Sequence, residues 1–176
     1  MGILPNSEYR RFERLVHAYQ HRIFGFAFYL LTDREEAEDV TQEVLLRLWD
    51  HRSDVEEERA LAWLLRVTRN ACIDEMRKRA HFRKLVEVDS DALERVSGDS
   101  LPPDACAEQA DFQERLEDTL CRLQEPHRSI VILREIQDMK YEEIAEALDL
   151  PLNTVKVYLH RGRKFLREQL SEVLTA

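Results

Sequence analysis

A run of basic side chains near the carboxyl end of the chain has the composition needed to bind nucleic acid. Between Asn153 and Arg167 there is no acidic residue. The cations are Lys156, Arg161, Arg163, Lys164 and Arg167. Lys156, His160 and either Lys164 or Arg163 would share one exposed line of a helix. Such cations neutralise phosphates, and lysine or arginine also reads guanine edges. The alternative is a solvated basic helix in a bundle.

The apolar pattern around this basic run predicts two short helices that would present it. The first has a buried face of Ile144, Ala145 and Leu148, in which the small residue lets a second helix cross closely. Asp149-Leu150-Pro151 should end it, because proline disfavours helical geometry at the residue before it. Asn153 or Thr154 is expected to cap the second helix. Its inward positions would be Val155, Tyr158 or Leu159, Gly162 and Leu166. This is the pattern of a helix-turn-helix, which sets a recognition helix in the DNA major groove.

Three further helices are predicted in the first 80 residues. The first is expected to run to Leu31 on apolar residues spaced three and four apart. Thr32 followed by Glu35 predicts a capping box at the start of the second. The apolar stripe of the second is Ala37, Val40, Val44 and Leu48. The third is predicted from about Ala60 to Arg79. Its inward face would be Leu61, Leu64, Leu65, Thr68, Cys72 and Met76.

The stretch 85–111 differs from both flanks in charge and periodicity. Between Val86 and Glu108 it carries seven acids and one base, Arg95. We expect a flexible acidic linker that joins two small helical domains, 1–84 and 112–176. The alternative is a short loop that contains an exposed helix. Further along, Phe112, Leu116, Leu120 and Leu123 would form one stripe, and Ile130, Val131, Leu133 and Ile136 the next. With four glycines and 35% charged residues, the predicted fold is all-α.

The composition also limits the classes of function. A formal net charge of −9 argues against a general nucleic-acid coat protein, although it allows a local basic face. The cysteines, Cys72, Cys106 and Cys121, lack zinc-ligand spacing, which predicts a reduced, cytoplasmic protein without metal or cofactor. The amino-terminal residues lack the apolar core of a signal peptide. No apolar run is long enough for membrane insertion.

An enzyme is a weaker alternative. Carboxylates are plentiful, but none has a nucleophile, a phosphate-binding glycine loop or a metal-ligand partner at useful spacing. His17 and His21 lie four residues apart without the glutamate of an HExxH motif, so we expect exposed surface histidines. Cys72 is expected to be a small core residue. The sequence therefore predicts no catalytic residues.

Separate segments of the chain resemble one protein family. YEEIAEALDLPLNTVKVYLHRGRKFL, at Tyr141–Leu166, resembles region 4 of the extracytoplasmic-function sigma factors, which belong to the sigma-70 family of bacterial RNA polymerase. AEDVTQEVLLRLW, at Ala37–Trp49, and AWLLRVTRNACIDEMRKR, at Ala62–Arg79, resemble successive parts of region 2. The order of the segments and the linker between them also match the family.

The resemblance implies a subunit that directs core polymerase to promoters in response to a stress or envelope signal, with an anti-sigma factor as a further partner. Docking on the β′ clamp helices is implied for Glu38, Asp39, Gln42, Glu43, Leu46 and Trp49. Recognition of the −10 element, helped by the loop Asp50–Arg59, is implied for Arg66, Arg69, Asn70, Arg77, Lys78 and Arg79. Recognition of the −35 element is implied for Asn153, Thr154, Lys156, Val157, Tyr158, His160, Arg161 and Lys164. The earlier helices of region 4 would rest on the β flap.

Two positions depart from the family pattern. Asp149 stands where a glycine or another small residue is common, but aspartate tolerates left-handed geometry. Val157-Tyr158 replaces a frequent Ser-Arg, which should change base preference, for example toward a thymine methyl contacted by Val157. The competing interpretation is an ordinary helix-turn-helix repressor or activator that binds duplex DNA by itself. It would leave the AEDVTQEV segment without a role.

Overall fold

The computed structural model describes residues 6–86 and 107–174, and within these ranges all regular secondary structure is helical. The all-α prediction is therefore confirmed. The amino-terminal unit contains α1 (Asn6–Leu31), α2 (Arg34–Asp50), a 3-10 turn (Glu57–Arg59) and α3 (Ala60–Val86). The carboxyl-terminal unit contains α4 (Ala107–Arg122), α5 (His127–Val131), a π-helical segment (Ile132–Ile136), α6 (Tyr141–Leu148) and α7 (Leu152–Leu174).

The core of the amino-terminal unit lies between α1, α2 and α3. The predicted stripe of α2, Ala37, Val40, Val44 and Leu48, is buried. α1 adds Phe26 and Leu30, and α3 adds Leu64 and Leu65, all with at most 1% exposure. Burial of a side chain of this size contributes about 1.5–3 kcal/mol each. This packing fixes which faces of α2 and α3 point to solvent.

The start of α2 differs by one residue from the prediction. Asp33, not Thr32, is the N-cap, and its carboxylate accepts a hydrogen bond from the backbone N–H of Glu36. Thr32 instead has a φ of 53°, and its hydroxyl donates to the carbonyl of Leu31. The left-handed residue ends α1, so the neighbouring aspartate is left to cap α2.

The carboxyl-terminal unit corrects three predicted core positions. Phe112 is 55% exposed and Ile136 is 37% exposed, so neither belongs to the core. In α6, Ala147 is fully buried, whereas Ala145 is only partly buried. The predicted residues Leu120, Ile130, Val131 and Leu133 are buried, and Ile132 joins them because the π-helical segment turns its side chain inward as well.

The turn between α6 and α7 is closed by backbone geometry. Asp149 adopts the left-handed conformation, with φ 55° and ψ 49°, as the sequence allowed. α7 begins at Leu152, so Asn153 and Thr154 lie inside its first turn, and the prediction that either caps the helix was wrong. The carbonyl of Pro151 accepts the first helical hydrogen bond, from Val155 at 3.1 Å.

The predicted linker stays a prediction, because residues 87–106 lie outside the described part of the chain. α3 and α4 each reach into its predicted ends. In the described ranges we find no helix with the length and apolarity to cross a membrane. The two units contact each other, chiefly through α3 and α6.

Candidate protein and nucleic-acid interfaces

One face of α2 is exposed and mainly acidic. We call it the α2 acidic face; it comprises Glu38, Asp39, Gln42, Glu43 and Leu46, all exposed. Leu46 is 66% exposed, an apolar side chain among carboxylates. Glu38 pairs with Arg34 of the same helix at 3.0 Å. Carboxylates would repel DNA phosphates, so this surface suits a protein partner that covers the leucine.

Trp49, the last predicted docking residue, is held by the amino-terminal end of α1. Its ring contacts Phe12 edge-on at a centroid distance of 4.9 Å, and Tyr9 at 6.3 Å. The guanidinium of Arg52 lies 4.6 Å from the ring centroid. Aromatic and cation–π contacts of this kind fix ring orientation. Trp49 is thus a half-buried residue with a fixed ring, next to the α2 acidic face at the carboxyl-terminal end of the helix.

The distal cations of α3 are paired within the amino-terminal unit. Arg77 contacts Asp74 at 3.3 Å, in an exposed pair. Lys78 contacts Glu75 at 2.9 Å, and this hydrogen bond raises the pKa of Lys78. Arg79 forms a bidentate pair with Glu36 of α2, with Nε 2.6 Å from Oε1. The remaining predicted residue of this part of α3, Asn70, is exposed.

The proximal cations of α3 reach the other unit instead. Arg66 donates to the carbonyl oxygens of Glu146, at 2.6 Å, and Ala147, at 3.4 Å. Arg69 donates to the carboxylate of Glu125 at 2.8 Å, and both side chains are 21% exposed. The structure therefore does not gather the six predicted −10 residues into one free basic surface.

An open cavity of about 330 Å³ lies beside these arginines. Trp63, Arg59 and Arg66 line it, together with the loop residues Asp54, Val55 and Glu56, Ala62, and Glu146 of α6. The ring of Trp63 is tilted 44° against that of His51, with centroids 5.8 Å apart. An indole with cations beside it can stack a base and hold its phosphate.

Sequence reasoning missed Trp63 as a site residue, although a signal was present. The tryptophan lies in the first turn of the predicted third helix, four residues after the loop ends at Arg59, and stands one turn before Arg66. Glu146 and Glu125 could not be found in this way, because their positions depend on how the two units pack.

α7 separates buried and basic faces as predicted. Val155, Leu159 and Gly162 are buried against the carboxyl-terminal unit. The exposed residues include Asn153, Lys156, Val157, His160, Arg161 and Lys164. Thr154 and Tyr158 are partly buried. We call the exposed set Lys156, Val157, His160, Arg161 and Lys164 the α7 basic face.

Two side chains of α7 are engaged by its own unit. Arg163 pairs with Glu135 at 2.7 Å, and this hydrogen bond raises the pKa of Arg163. The ring of Tyr158 packs on His127 with a centroid distance of 4.5 Å. The sequence predicted either Lys164 or Arg163 at the end of the exposed basic line. Lys164 is exposed and lies 3.8 Å from Glu168 of the same helix, so it makes the weaker contact of the two.

The cysteines and histidines bear on the question of other chemistry. Cys72 is fully buried, as predicted for a core residue, and burial raises the pKa of its thiol to about 12. Cys121 is exposed, and His17 and His21 are exposed as expected. Among the described residues, no group of three histidines, cysteines or carboxylates is arranged to hold a metal ion.

Comparison with known proteins identifies both units. The profile of Sigma-70 region 2 matches residues 15–82, and that of Sigma-70, region 4 matches residues 113–166. The chain is 26% identical over 168 residues to the ECF RNA polymerase sigma factor SigW of Bacillus subtilis, covering 92% of this chain and 90% of that one. It is 35% identical over 165 residues to the RNA polymerase sigma-E factor of Streptomyces coelicolor, covering 93% and 88%.

The fold is also similar to solved structures. One is the sigma factor RpoE in complex with the anti-sigma factor NepR from Bartonella quintana, with a TM-score of 0.71 and 25% identity. That match covers 91% of this chain and 96% of the other. A second is CnrH in complex with the cytosolic domain of CnrY, with a TM-score of 0.69 and 22% identity over 93% and 90% of the two chains.

Proposed function

The chain belongs to the extracytoplasmic-function sigma factors of the sigma-70 family, which direct RNA polymerase to promoters, and we propose how its surfaces divide that work. The α2 acidic face binds core polymerase. The cavity beside α3 takes part of the −10 element, and the α7 basic face binds the −35 element. The work is binding rather than catalysis, and it takes place in the cytoplasm, where core polymerase acts.

The exposure of Leu46 is the observation that carries this proposal. A helix-turn-helix repressor needs no apolar side chain among carboxylates on a helix remote from its DNA-binding face. A docking site for a protein does, because a leucine that becomes covered adds affinity while the surrounding charges set orientation. Docking on the polymerase β′ clamp helices gives the α2 acidic face that role.

The cavity beside α3 supports recognition of an unpaired strand. A base that has left the DNA stack needs an aromatic surface, and Trp63 lines the cavity. The phosphates of the unpaired strand need cations, and Arg59 and Arg66 line the same cavity. Asn70, Arg77 and Lys78 extend this polar surface along α3. We assign the −10 element to this surface.

The α7 basic face supports recognition of duplex DNA. Lys156, Arg161 and Lys164 offer exposed cations to phosphates or guanine edges. Val157, which is 48% exposed, offers a methyl contact to thymine instead of the arginine frequent at the neighbouring position in the family. The buried side of α7 positions these residues on a rigid helix. The earlier helices of this unit are assigned to the β flap.

Further partners follow from the relatives. RpoE of Bartonella quintana was solved with the anti-sigma factor NepR. We infer that an anti-sigma factor also restrains this chain until a stress or envelope signal releases it. The predicted acidic linker 85–111 would join the two DNA-binding units. Fully extended, about 25 residues span roughly 80–90 Å, which covers the separation of two promoter elements.

In vitro transcription tests the proposed function. The purified chain is combined with core polymerase and a library of random promoter templates, and the transcript starts are sequenced. We expect defined start sites, each preceded by two shared sequence elements. A chain that binds duplex DNA alone but neither copurifies with core polymerase nor selects start sites is a repressor or activator, and this result would overturn the proposal.

A pair of leucine variants tests the docking surface. Leu46→Ala should weaken binding to core polymerase by about tenfold, since truncation of an anchor residue costs about 1–2 kcal/mol or more. Leu85→Ala is the matched control, because Leu85 is 60% exposed but lies at the far end of α3. Affinity for immobilised core enzyme is measured for both variants. Equal affinities would remove the α2 acidic face from the docking site.

A further inference from the structure

Two arginines predicted to bind the −10 element, Arg66 and Arg69, are in direct contact with the carboxyl-terminal unit. Arg66 donates to two carbonyl oxygens at the end of α6, those of Glu146 and Ala147. Arg69 donates to the carboxylate of Glu125, just before α5. These are the two proximal cations of α3. Each therefore already has an oxygen acceptor from the same chain.

The acceptors resemble what DNA would offer these arginines. The last carbonyls of a helix lack helical donors and carry partial negative charge, so they attract a guanidinium as a phosphate oxygen does. In the Arg69–Glu125 pair each side chain is about four-fifths buried, which makes the ion pair stronger than one exposed on the surface. A strand of DNA must displace both contacts to reach Arg66 and Arg69.

The cavity beside Trp63 is also bounded by the other unit. Glu146 contributes to its lining, and its carboxylate lies 3.5 Å from Nε of Arg59. A carboxylate at this position repels phosphates and occupies a cation that would otherwise bind them. Glu146 of α6 thus occupies part of the site proposed for an unstacked base and offsets the positive charge of Arg59.

Contacts away from the −10 surface hold the two units in this arrangement. Arg128, which is 5% exposed, donates to the carbonyl of Tyr29 near the end of α1 at 2.9 Å. The side-chain amide of Gln137 donates to the carbonyl of Arg22 at 2.7 Å. Neither contact uses a residue assigned to DNA. The arrangement therefore has its own supports.

The α7 basic face remains open in this arrangement. Lys156, His160, Arg161 and Lys164 are exposed, and Val157 is 48% exposed. The contacts between the two units thus affect the two DNA-binding surfaces differently. Three cations of the surface for a single strand are engaged by the other unit, whereas the surface for a duplex makes no such contacts among the described residues.

We propose that the free chain masks its own single-strand-binding surface, with α6 and Glu125 occupying Arg59, Arg66 and Arg69 until the two units separate. This proposal rests on the function proposed above. It makes separation of the units a step that precedes engagement of the −10 strand. Duplex binding by α7 does not require that step.

A double variant of the masking side tests the proposal. Glu125→Gln removes the carboxylate partner of Arg69, and Glu146→Gln removes that of Arg59, while the backbone carbonyls that accept from Arg66 stay in place. The amide introduced at position 125 keeps an oxygen that can accept from the backbone N–H of Ser129. We expect affinity for a fluorescein-labelled single-stranded DNA pool of random sequence to rise about tenfold, because a larger fraction of the chain is competent to bind. Affinity for duplex DNA should stay within twofold of the unmodified chain.

The matched control removes the same charge elsewhere in the carboxyl-terminal unit. Glu114→Gln with Glu142→Gln changes two exposed carboxylates of α4 and α6, and its single-strand affinity should rise by less than a third as much. Equal gains in the two double variants would overturn the masking proposal and leave a general charge effect. Thermal unfolding confirms that both variants are folded.

A measurement on the unmodified chain does not depend on any variant. Small-angle neutron scattering at the contrast-match point of DNA, where only the protein contributes, should show an increase in the radius of gyration of the chain when the single-stranded DNA pool is added. A bound complex that stays as compact as the free chain would overturn the proposal. Start-site selection with core polymerase, measured on the same preparation, separates this failure from failure of the proposed function.

Discussion

A β-carbon on Gly162 would lie 2.5 Å from Cγ2 of Val131, so α7 crosses α5 at a distance that only glycine permits. Val131 is 1% exposed, and its β-branched side chain has little freedom to move aside. The backbone oxygen of His127 lies on the same side, at 3.8 Å. The orientation of the α7 basic face depends on this crossing.

We therefore expect Gly162→Ala to destabilise the carboxyl-terminal unit. The added methyl overpacks the crossing and should lower the free energy of unfolding by about 1–3 kcal/mol. This loss outweighs the gain of about 1 kcal/mol that alanine brings to a helix interior. Urea denaturation followed by circular dichroism measures the change. Affinity for duplex DNA should fall with it, because α7 shifts.

Gly25→Ala is the matched control in the amino-terminal unit. Apart from the adjacent residues and the backbone of α1 itself, no heavy atom lies within 4 Å of a β-carbon at this position. We expect the free energy of unfolding to rise by about 0.5–1 kcal/mol, since alanine restricts the unfolded chain and favours the helix. Two glycine variants with the same sign would contradict the close approach at Gly162.

We expect the buried thiol of Cys72 to lower the free energy of unfolding at high pH. Burial, followed by the charge of Glu125, raises the pKa of its thiol to about 12, from the usual value of 9.0. The folded state therefore prefers the protonated thiol. Its contribution is complete below pH 9 and is lost as pH rises toward 12. Between pH 8 and pH 10 the free energy of unfolding should fall by about 1 kcal/mol through this group.

The Cys72→Ala variant isolates this effect from other groups that titrate in the same range. It has no thiol at this position, so its free energy of unfolding should fall by about 1 kcal/mol less than that of the unmodified chain between pH 8 and pH 10. Iodoacetamide should label exposed Cys121 in the folded protein long before it labels Cys72. The same pH dependence in both chains would argue against a buried thiol.

The buried residues of a helix were predictable from the sequence where its apolar residues form a single stripe at helical spacing. The α2 stripe and the inward residues Val155 and Gly162 follow from spacing alone. The left-handed Asp149 followed from turn chemistry. Helix ends were less predictable, since Asp33 and Thr32 were both able to serve as the cap and tertiary packing made the choice.

The contacts between the units lay outside the reach of sequence reasoning. Arg66 and Arg69 were predicted as DNA-binding residues from the family pattern, and nothing in their spacing indicates Glu125 or Glu146 as partners. Spacing along one helix reports on that helix. An ion pair between residues far apart in sequence depends on how two folded units pack. The spacing of residues within either segment does not predict that packing.

Arg163 and Lys164 give a direct test of which cation of α7 meets DNA. Arg163 is paired with Glu135 at 2.7 Å, whereas Lys164 lies on the α7 basic face and is 3.8 Å from Glu168 of the same helix. Lys164→Ala should weaken binding to duplex DNA and reduce the slope of log affinity against log salt by about one. Arg163→Ala should leave that slope nearly unchanged. Fluorescence anisotropy at several salt concentrations measures both, and equal changes in slope would contradict the assignment.

Trp63 should be needed for strand opening rather than for binding of polymerase. Trp63→Ala removes the aromatic surface of the cavity beside α3, and base stacking on such a ring is worth about 1–3 kcal/mol. We expect the yield of open complex, followed by 2-aminopurine fluorescence near the start site, to fall about tenfold or more. Trp63→Phe keeps a ring and should lose less.

Phe82→Ala is the control for this change, because Phe82 is an aromatic residue of the same helix that is 68% exposed and lies away from the cavity. Its open-complex yield should match that of the unmodified chain. Affinity for core polymerase, which depends on the α2 acidic face, should be the same for both alanine variants. If Trp63→Ala opened promoters as well as Phe82→Ala, the cavity would not hold an unstacked base, and strand opening would depend on the cations of α3 alone.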